Sequence, residues 1–91
     1  MAAGSDSIYI RTVRITHSYL GAAADRFIAR QVENHLHKSP EELSATDLLS
    51  LIDWIRVTAS LFIEDNDLID AYTEALQKLA RTALEKQAGK R

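Results

Sequence analysis

The sequence predicts an all-α fold: an up-and-down antiparallel bundle of three long helices preceded by an N-terminal helical segment. In three long segments, apolar residues recur at the three- and four-residue spacing of amphipathic helices. Helix-capping residues precede two of these segments. Only short stretches separate them, which places helices that follow one another in the chain antiparallel.

The first clear amphipathic pattern runs from Tyr19 to Leu36. Its apolar stripe comprises Leu20, Ala24, Phe27, Ile28, Val32 and Leu36. Residues 8–16 are rich in β-branched side chains, which favour a strand, but the sequence contains no second strand-like run to pair with them. We therefore expect a helix or an ordered arm there, with a break at Gly21.

Two capping signals precede the second long helix. Ser39, Pro40 and Glu42 fit a capping box with proline at the first helical position, and Ser44 with Asp47 repeats the cap. We expect a short helical turn at residues 40–43 and a helix over residues 45–63. Its predicted buried stripe comprises Leu48, Leu51, Ile52, Ile55, Ala59 and Phe62, widened by Leu49 and Ile63. Trp54 and Phe62 are expected in the core, although an aromatic residue at the edge of a stripe is also a good interface anchor.

A cap cluster at residues 65–67 separates this helix from the last one. The last stripe comprises Ile69, Tyr72, Leu76, Leu79 and Ala83, and Gly89 is a suitable end. Since 91 residues suffice for one domain, we expect a single helical domain over residues 8–88, with flexible termini at 1–7 and 89–91.

The composition, 46% hydrophobic and 26% charged, is that of a globular protein. Cysteine is absent, which excludes disulfides and thiolate sites and fits a reducing compartment, so we expect a cytoplasmic protein. Neither a secretory leader nor a membrane-spanning apolar run is indicated, and we expect no membrane association. A chain of this size buries only a modest core, and many small domains gain stability by forming dimers, so we expect a homodimer.

The formal net charge of −2 argues against a surface that binds phosphate backbones throughout. The charge is nevertheless polarised along the chain: basic residues predominate over residues 1–40 and acidic residues over residues 41–80. Most of these charges are expected on solvated helix faces. The candidate basic surface comprises Arg11, Arg14, Arg26 and Arg30, and the candidate acidic surface comprises Glu64, Asp65, Asp67, Asp70 and Glu74.

No metal site is predicted. His35 and His37 lie two residues apart, so on a helix they point in different directions, whereas metal ligands sharing a face lie three or four apart. His17 is expected to be a hydrogen-bonded packing residue that faces the core. A calcium loop starting at Asp65 would need glycine at its sixth position and glutamate at its twelfth, but the sequence has aspartate and leucine there.

No catalytic residue or cofactor is predicted either. The sequence lacks a glycine-rich phosphate loop, a serine nucleophile elbow and a paired-histidine helix motif. A helical enzyme of the chorismate mutase type would need several basic residues converging on one pocket, and the long central helix contributes only Arg56. A small helical-bundle enzyme therefore stays a remote alternative, and we expect a protein that is not an enzyme.

Some apolar residues exceed what one narrow stripe buries, and they form the candidate interface: Leu49, Trp54, Leu61 and Leu68. These residues favour a non-catalytic module for protein interaction or dimerisation. The alternative is a nucleic-acid-binding regulator that uses the basic N-terminal half. Because Asp25 and Glu33 offset Arg26 and Arg30, we do not expect a nucleic-acid partner.

The stretch Tyr-Leu-Gly-Ala-Ala-Ala at residues 19–24, followed by Phe27 and Ile28, resembles a known segment. It is similar to the Tyr-Ile-Gly-Pro-x-Ala start of a small helical domain at the C-terminal ends of bacterial signalling proteins, including response-regulator-like proteins and Ser/Thr kinases, particularly cyanobacterial ones. Residues 39–43 and 47–54 resemble the region that follows; Ala22 replaces the usual proline. The resemblance implies an accessory interaction or dimerisation domain without catalytic residues.

Overall fold

A computed structural model describes the backbone of residues 7–89 and the side chains of residues 7–86. In that range the chain is all-α and forms the predicted up-and-down bundle of long helices with an N-terminal helical segment. The helices are α1 (Ile8–Leu20), α2 (Ala24–Leu36), α3 (Ala45–Ala59) and α4 (Asn66–Gly89), with 3₁₀ turns at Gly21–Ala23 and Pro40–Glu42. The predicted flexible termini, 1–7 and 89–91, lie outside the described residues except for Ser7 and Gly89.

Helices α2 and α3 pack antiparallel along most of their length. As the residue number increases along α3, the residue number of its contact in α2 decreases, from the C-terminal end of α2 to its first turn. The pairs are Lys38–Asp47, His35–Trp54, Gln31–Thr58 and Phe27–Phe62. Helix α4 packs on the other side of α3, where Arg56 contacts Asp70 and Thr73. Helix α3 therefore lies between α2 and α4.

The core lies between the facing stripes of these helices and largely matches the predicted stripes. Its large buried side chains are Phe27, Ile28, Val32, Leu48, Leu51, Ile52, Ile55, Tyr72 and Leu76. The small residues Ala24, Ala59 and Ala80 are also fully buried and allow close approach of the helix backbones. Among the described residues, no helix has the length and hydropathy required to cross a bilayer.

The β-branched N-terminal segment is a helix, so the alternative of an ordered arm was wrong. Ser7 caps α1 by accepting a hydrogen bond from the Ile10 backbone N–H at 3.1 Å. Thr12 and Thr16 are fully buried against the bundle, and the hydroxyl of Thr16 lies 2.6 Å from that of Tyr72 in α4. Tertiary packing thus overrides the strand preference of the segment. The predicted break occurs at Gly21, whose φ of 66° is unfavourable for other residues.

The α3 helix ends at Ala59, four residues before the predicted end at 63. Beyond Ala59 the backbone tightens, because the Leu61 and Phe62 N–H groups donate to the carbonyls of Thr58 and Ala59, three residues back. This tightening changes the direction of the following side chains. Phe62 was expected in the core, and that prediction was wrong: its side chain is 67% exposed.

The other aromatic residue assigned to the core, Trp54, is 52% exposed, so this prediction was also wrong. Its neighbour Ile55 is fully buried, and one residue corresponds to about 100° around a helix. Trp54 therefore lies beside the buried stripe of α3, on the flank that faces α2. Leu49, expected to widen the stripe, is 37% exposed for the same reason.

Candidate interaction surface

The outer face of α3 carries large apolar side chains that contact solvent. Trp54 and Val57 follow the i, i+3 spacing that places residues on one helix flank, and Leu61 lies in the turn directly after α3; Val57 and Leu61 are 61% and 78% exposed. Phe62 extends this group toward α2, where its ring meets that of Phe27 edge-on with centroids 6.2 Å apart. We refer to Trp54, Val57, Leu61 and Phe62 as the apolar patch.

The four residues of the predicted interface are all at the surface, but the structure does not bring all of them together. Trp54 and Leu61 belong to the apolar patch, and Leu68 lies 48% exposed in the first turn of α4. Leu49 lies about 140° around α3 from Trp54 and points away from the patch. Sequence reasoning missed Val57, although its position three residues after Trp54 indicated the same flank.

A wide, open groove borders the patch on its α2 side. Its walls include Arg26 and Arg30 from α2, and Phe62 from the end of α3. Its floor holds Gln31, which is 7% exposed and whose Nε2 donates to the Thr58 hydroxyl at 3.3 Å. The Gln31 Oε1 accepts no hydrogen bond from any described residue. The groove therefore combines aromatic surface, two guanidinium groups and a buried amide.

The three histidines are not arranged as a metal site, because each has different surroundings. The His35 ring stacks on the Trp54 indole, and His37 ends α2 in the left-handed conformation with a φ of 55°. His17 is exposed, so the prediction that it faces the core was wrong. No group of three or more potential ligands is arranged to hold a metal ion within the part of the chain that the structure describes.

The structure divides the candidate basic surface. Arg26 and Arg30, one helical turn apart, line the groove beside the patch. Arg11 lines a separate shallow groove between α1 and α4, which also contains Lys78. Arg14 is exposed on α1. The four arginines therefore do not form one continuous basic face.

The candidate acidic residues are all exposed, but they differ in their contacts. Asp65 directly precedes α4, and its carboxylate accepts a hydrogen bond from the Asp67 backbone N–H at 2.9 Å. The Asp70 carboxylate lies 2.5 Å from the Arg56 guanidinium, which offsets its charge. Glu64 and Asp67 project at the α3–α4 connection, next in sequence to the apolar patch, and Glu74 lies further along α4.

Among the side chains that the structure describes, three ionisable groups have displaced pKa values, and each displacement has a structural cause. Burial raises the pKa of Tyr72 to about 12. Burial, followed by hydrogen bonding to the Asp25 carboxylate, raises that of Tyr9 to about 12. A hydrogen bond from Lys38 lowers the pKa of Asp47 below its usual value. These groups hold helices together, and none belongs to the apolar patch.

Comparison with known proteins gives no matching family model, no similar curated protein and no similar solved structure. The resemblance to the small domain of bacterial signalling proteins therefore stays a prediction.

Proposed function

We propose that this chain is a non-catalytic interaction module whose apolar patch packs against another protein, including dimerisation as one form of that contact. The exposure of Trp54, Val57, Leu61 and Phe62, between 52% and 78%, is the observation that carries the proposal. A group of exposed apolar residues on a small protein lowers its solubility, and such a group usually marks a site where a partner binds. Aromatic residues at such positions are frequent anchors of interfaces.

The neighbouring groove supports the same proposal. A protein interface commonly has an apolar centre and a polar, charged rim, and here Arg26 and Arg30 border the aromatic surface. The separation of these two arginines from Arg11 weakens the nucleic-acid alternative, because it removes the continuous basic face that a phosphate backbone requires.

The setting of the module is also part of the proposal. The resemblance of residues 19–24 and of the region after Ser39 to an accessory domain of bacterial signalling proteins supports a role in signalling or regulation. A chain without cysteine is compatible with the reducing cytoplasm. Catalysis is not part of the proposed function, since Tyr9, Asp47 and Tyr72, whose pKa values are displaced, serve in structural contacts.

Photo-crosslinking in cells of the native host tests the proposal. A photoreactive phenylalanine analogue replaces Val57 in one variant and Arg81 in a matched control, because both positions are exposed but Arg81 lies on α4 outside the patch. We expect discrete crosslinked protein adducts from position 57 that are much weaker from position 81. Adding Leu61→Glu to the position-57 variant is expected to reduce those adducts.

Equal crosslinking from positions 57 and 81, or no protein adduct from position 57, would contradict the proposal. Circular dichroism and thermal unfolding of the variants verify that the helical fold is kept. Because Leu61 is 78% exposed, its replacement by glutamate is expected to leave folding stability nearly unchanged.

A further inference from the structure

The groove beside the apolar patch contains a buried polar atom that lacks a hydrogen-bond donor. Gln31 lines the groove and is 7% exposed, and its Nε2 donates to the Thr58 hydroxyl. No described residue donates to its Oε1. Buried acceptors are nearly always paired in folded proteins, because an unpaired one loses its bond to water without a replacement. Since Gln31 lines the groove, the groove is the route by which a donor from another molecule reaches this amide.

Two cations of the groove also lack partners. Arg26 and Arg30 are exposed and form no hydrogen bond or ion pair with another described residue. They lie about 40° apart around α2, so one anionic group can contact both. Asp25 lines the same groove, but it lies about 100° from Arg26 and 140° from Arg30, and its carboxylate accepts a hydrogen bond from Tyr9 in α1. The charged groups without a partner are therefore positive, and they fit a carboxylate.

The size of the groove favours a segment of polypeptide over a small molecule. Its volume of about 1390 Å³ exceeds the roughly 300–1,000 Å³ of typical small-molecule pockets, which also enclose their ligands, whereas this groove is open. Along α2 its wall runs from Asp25 to His35, about 15 Å, which an extended peptide covers with about five residues. An extended peptide also has free backbone N–H groups, whereas a helix uses its own internally.

We propose that the groove binds an extended, acidic peptide segment of a partner protein. A backbone N–H of the segment donates to the Gln31 Oε1, and an aspartate or glutamate carboxylate binds Arg26 and Arg30. An apolar side chain of the segment packs on the ring of Phe62, which is 67% exposed in the groove wall. This inference goes beyond the proposed function, because it concerns the groove and does not depend on which protein covers the apolar patch.

Selection from a peptide library tests the class of ligand. Random octapeptides displayed on phage are selected on the full chain, and the dissociation constants of the enriched peptides are measured by fluorescence polarisation. We expect enrichment of peptides that combine aspartate or glutamate with an apolar residue. A selection without enrichment would overturn the proposal. Enrichment of basic peptides would overturn it as well, because such peptides fit Asp25 and not the two arginines.

Removal of the two arginine charges tests the basic side of the groove. Arg26→Gln with Arg30→Gln is expected to weaken binding of the selected peptides at least roughly tenfold, since charge-assisted hydrogen bonds are lost. Lys78→Gln with Arg81→Gln is the matched control, because it removes the same charge from exposed positions of α4 outside the groove. Equal weakening by the two double substitutions would show unspecific attraction and would overturn the proposal.

The hydrogen bond to Gln31 is tested from both of its ends. Gln31→Met keeps the length of the side chain but removes the acceptor, so peptide binding should weaken roughly tenfold. Circular dichroism verifies that this variant keeps the helical fold. Methylation of each backbone nitrogen of the peptide in turn should identify one position at which it weakens binding to the wild-type chain but not to Gln31→Met. The absence of such a position would contradict the assigned bond and overturn the proposal.

Short single-stranded DNA is the rival occupant of the groove, because arginines beside aromatic rings also bind nucleic acid. Oligothymidylate is measured in the same assay, and tighter binding of this probe than of the selected peptides would overturn the proposal. Failure here is distinguishable from failure of the proposed function, because crosslinks from position 57 report on the apolar patch and involve no added peptide. Crosslinks that persist without peptide binding would contradict the groove proposal alone.

Discussion

The His35 imidazole stacks on the Trp54 indole, with ring centroids 4.3 Å apart and planes inclined by 13°. This contact joins the last turn of α2 to the middle of α3 and covers one face of an indole that is otherwise half exposed. His35 thus holds Trp54 in a fixed orientation at the border of the apolar patch.

Replacement of His35 by alanine is expected to free the Trp54 ring. The free energy of unfolding should fall by about 0.5 kcal/mol, a small value because the contact is partly solvated. Acrylamide quenching of Trp54 fluorescence should increase, and the chain's single tryptophan makes this readout specific. His17→Ala, at an exposed position of α1, should change neither quantity. Unchanged quenching in His35→Ala would show that the stack does not shield the indole.

Two buried threonines of α1 are expected to respond in opposite ways to valine. The Thr12 hydroxyl is fully buried and has no hydrogen-bond partner among the described residues, so Thr12→Val should raise the free energy of unfolding by about 1 kcal/mol. Thr16 donates to the Thr12 carbonyl at 2.8 Å and accepts from Tyr72, so Thr16→Val should lower it by about 1–2 kcal/mol.

Urea unfolding at neutral pH measures both threonine variants against the wild-type chain. Because the substitution is the same and the residues are one helical turn apart, differences in helix propensity cancel in the comparison. Destabilisation of equal size at both positions would contradict the assigned hydrogen bonds.

Two serines that precede helical turns are expected to differ in their contribution to stability. The Ser44 hydroxyl accepts from the Asp47 N–H at 3.1 Å, and the Asp47 carboxylate accepts from the Ser44 N–H at 3.2 Å, which completes a capping box. Ser39 and Glu42 form a second capping box, but it precedes a 3₁₀ turn of only three residues, Pro40–Glu42, and the Glu42 N–H also donates to the Ser39 carbonyl at 2.9 Å. Ser44→Ala should therefore cost about 1 kcal/mol in thermal unfolding, and Ser39→Ala only a few tenths. An equal loss of stability in the two variants would contradict this distinction.

Alkaline pH is expected to destabilise the fold through Tyr72. Its pKa is about 12 in the folded chain against 10.0 for an exposed tyrosine, so the neutral form is favoured by folding. This contribution is complete below pH 10 and is lost as the pH rises from 10 to 12, because the unfolded chain releases its proton first. The loss at pH 12 should be about 2–3 kcal/mol.

Tyr72→Phe provides the control for the alkaline transition. The variant should be about 1 kcal/mol less stable at pH 7, because the hydrogen bond to Thr16 is removed, but its stability should decline less between pH 10 and 12. The pKa of Tyr9 is also raised to about 12, so ionisation of Tyr9 contributes to the loss of stability in both proteins. Parallel pH profiles in urea unfolding would refute the role of Tyr72.

The buried stripes of the long helices could be predicted because helical periodicity determines which residues share a face. Ile28, Leu51 and Leu76 illustrate this, since each repeats at the three- and four-residue spacing and each is fully buried. Phe62 could not be placed in this way. Its position depends on the change from α-helical to 3₁₀ hydrogen bonds after Ala59, which no apolar pattern reveals.

The candidate site was predictable in composition but not in arrangement. Trp54 and Leu61 could be recognised as surplus apolar residues, whereas Val57, which lies on the same helix flank as Trp54, was missed. The division of the arginines, with Arg26 beside the patch and Arg11 between α1 and α4, depends on how the helices pack and is not encoded in their local spacing. The stack between His35 and Trp54 likewise requires two helices in a specific register.

Acrylamide quenching of Trp54, followed together with sedimentation as the protein concentration rises, tests the dimer form of the proposed contact most directly. A second copy covers the indole, so quenching should fall in parallel with the appearance of twice the monomer mass, and Val57→Glu should abolish both changes. Constant quenching of a chain that stays monomeric, or a dimer in which Trp54 remains as accessible as in the monomer, would contradict the proposed contact.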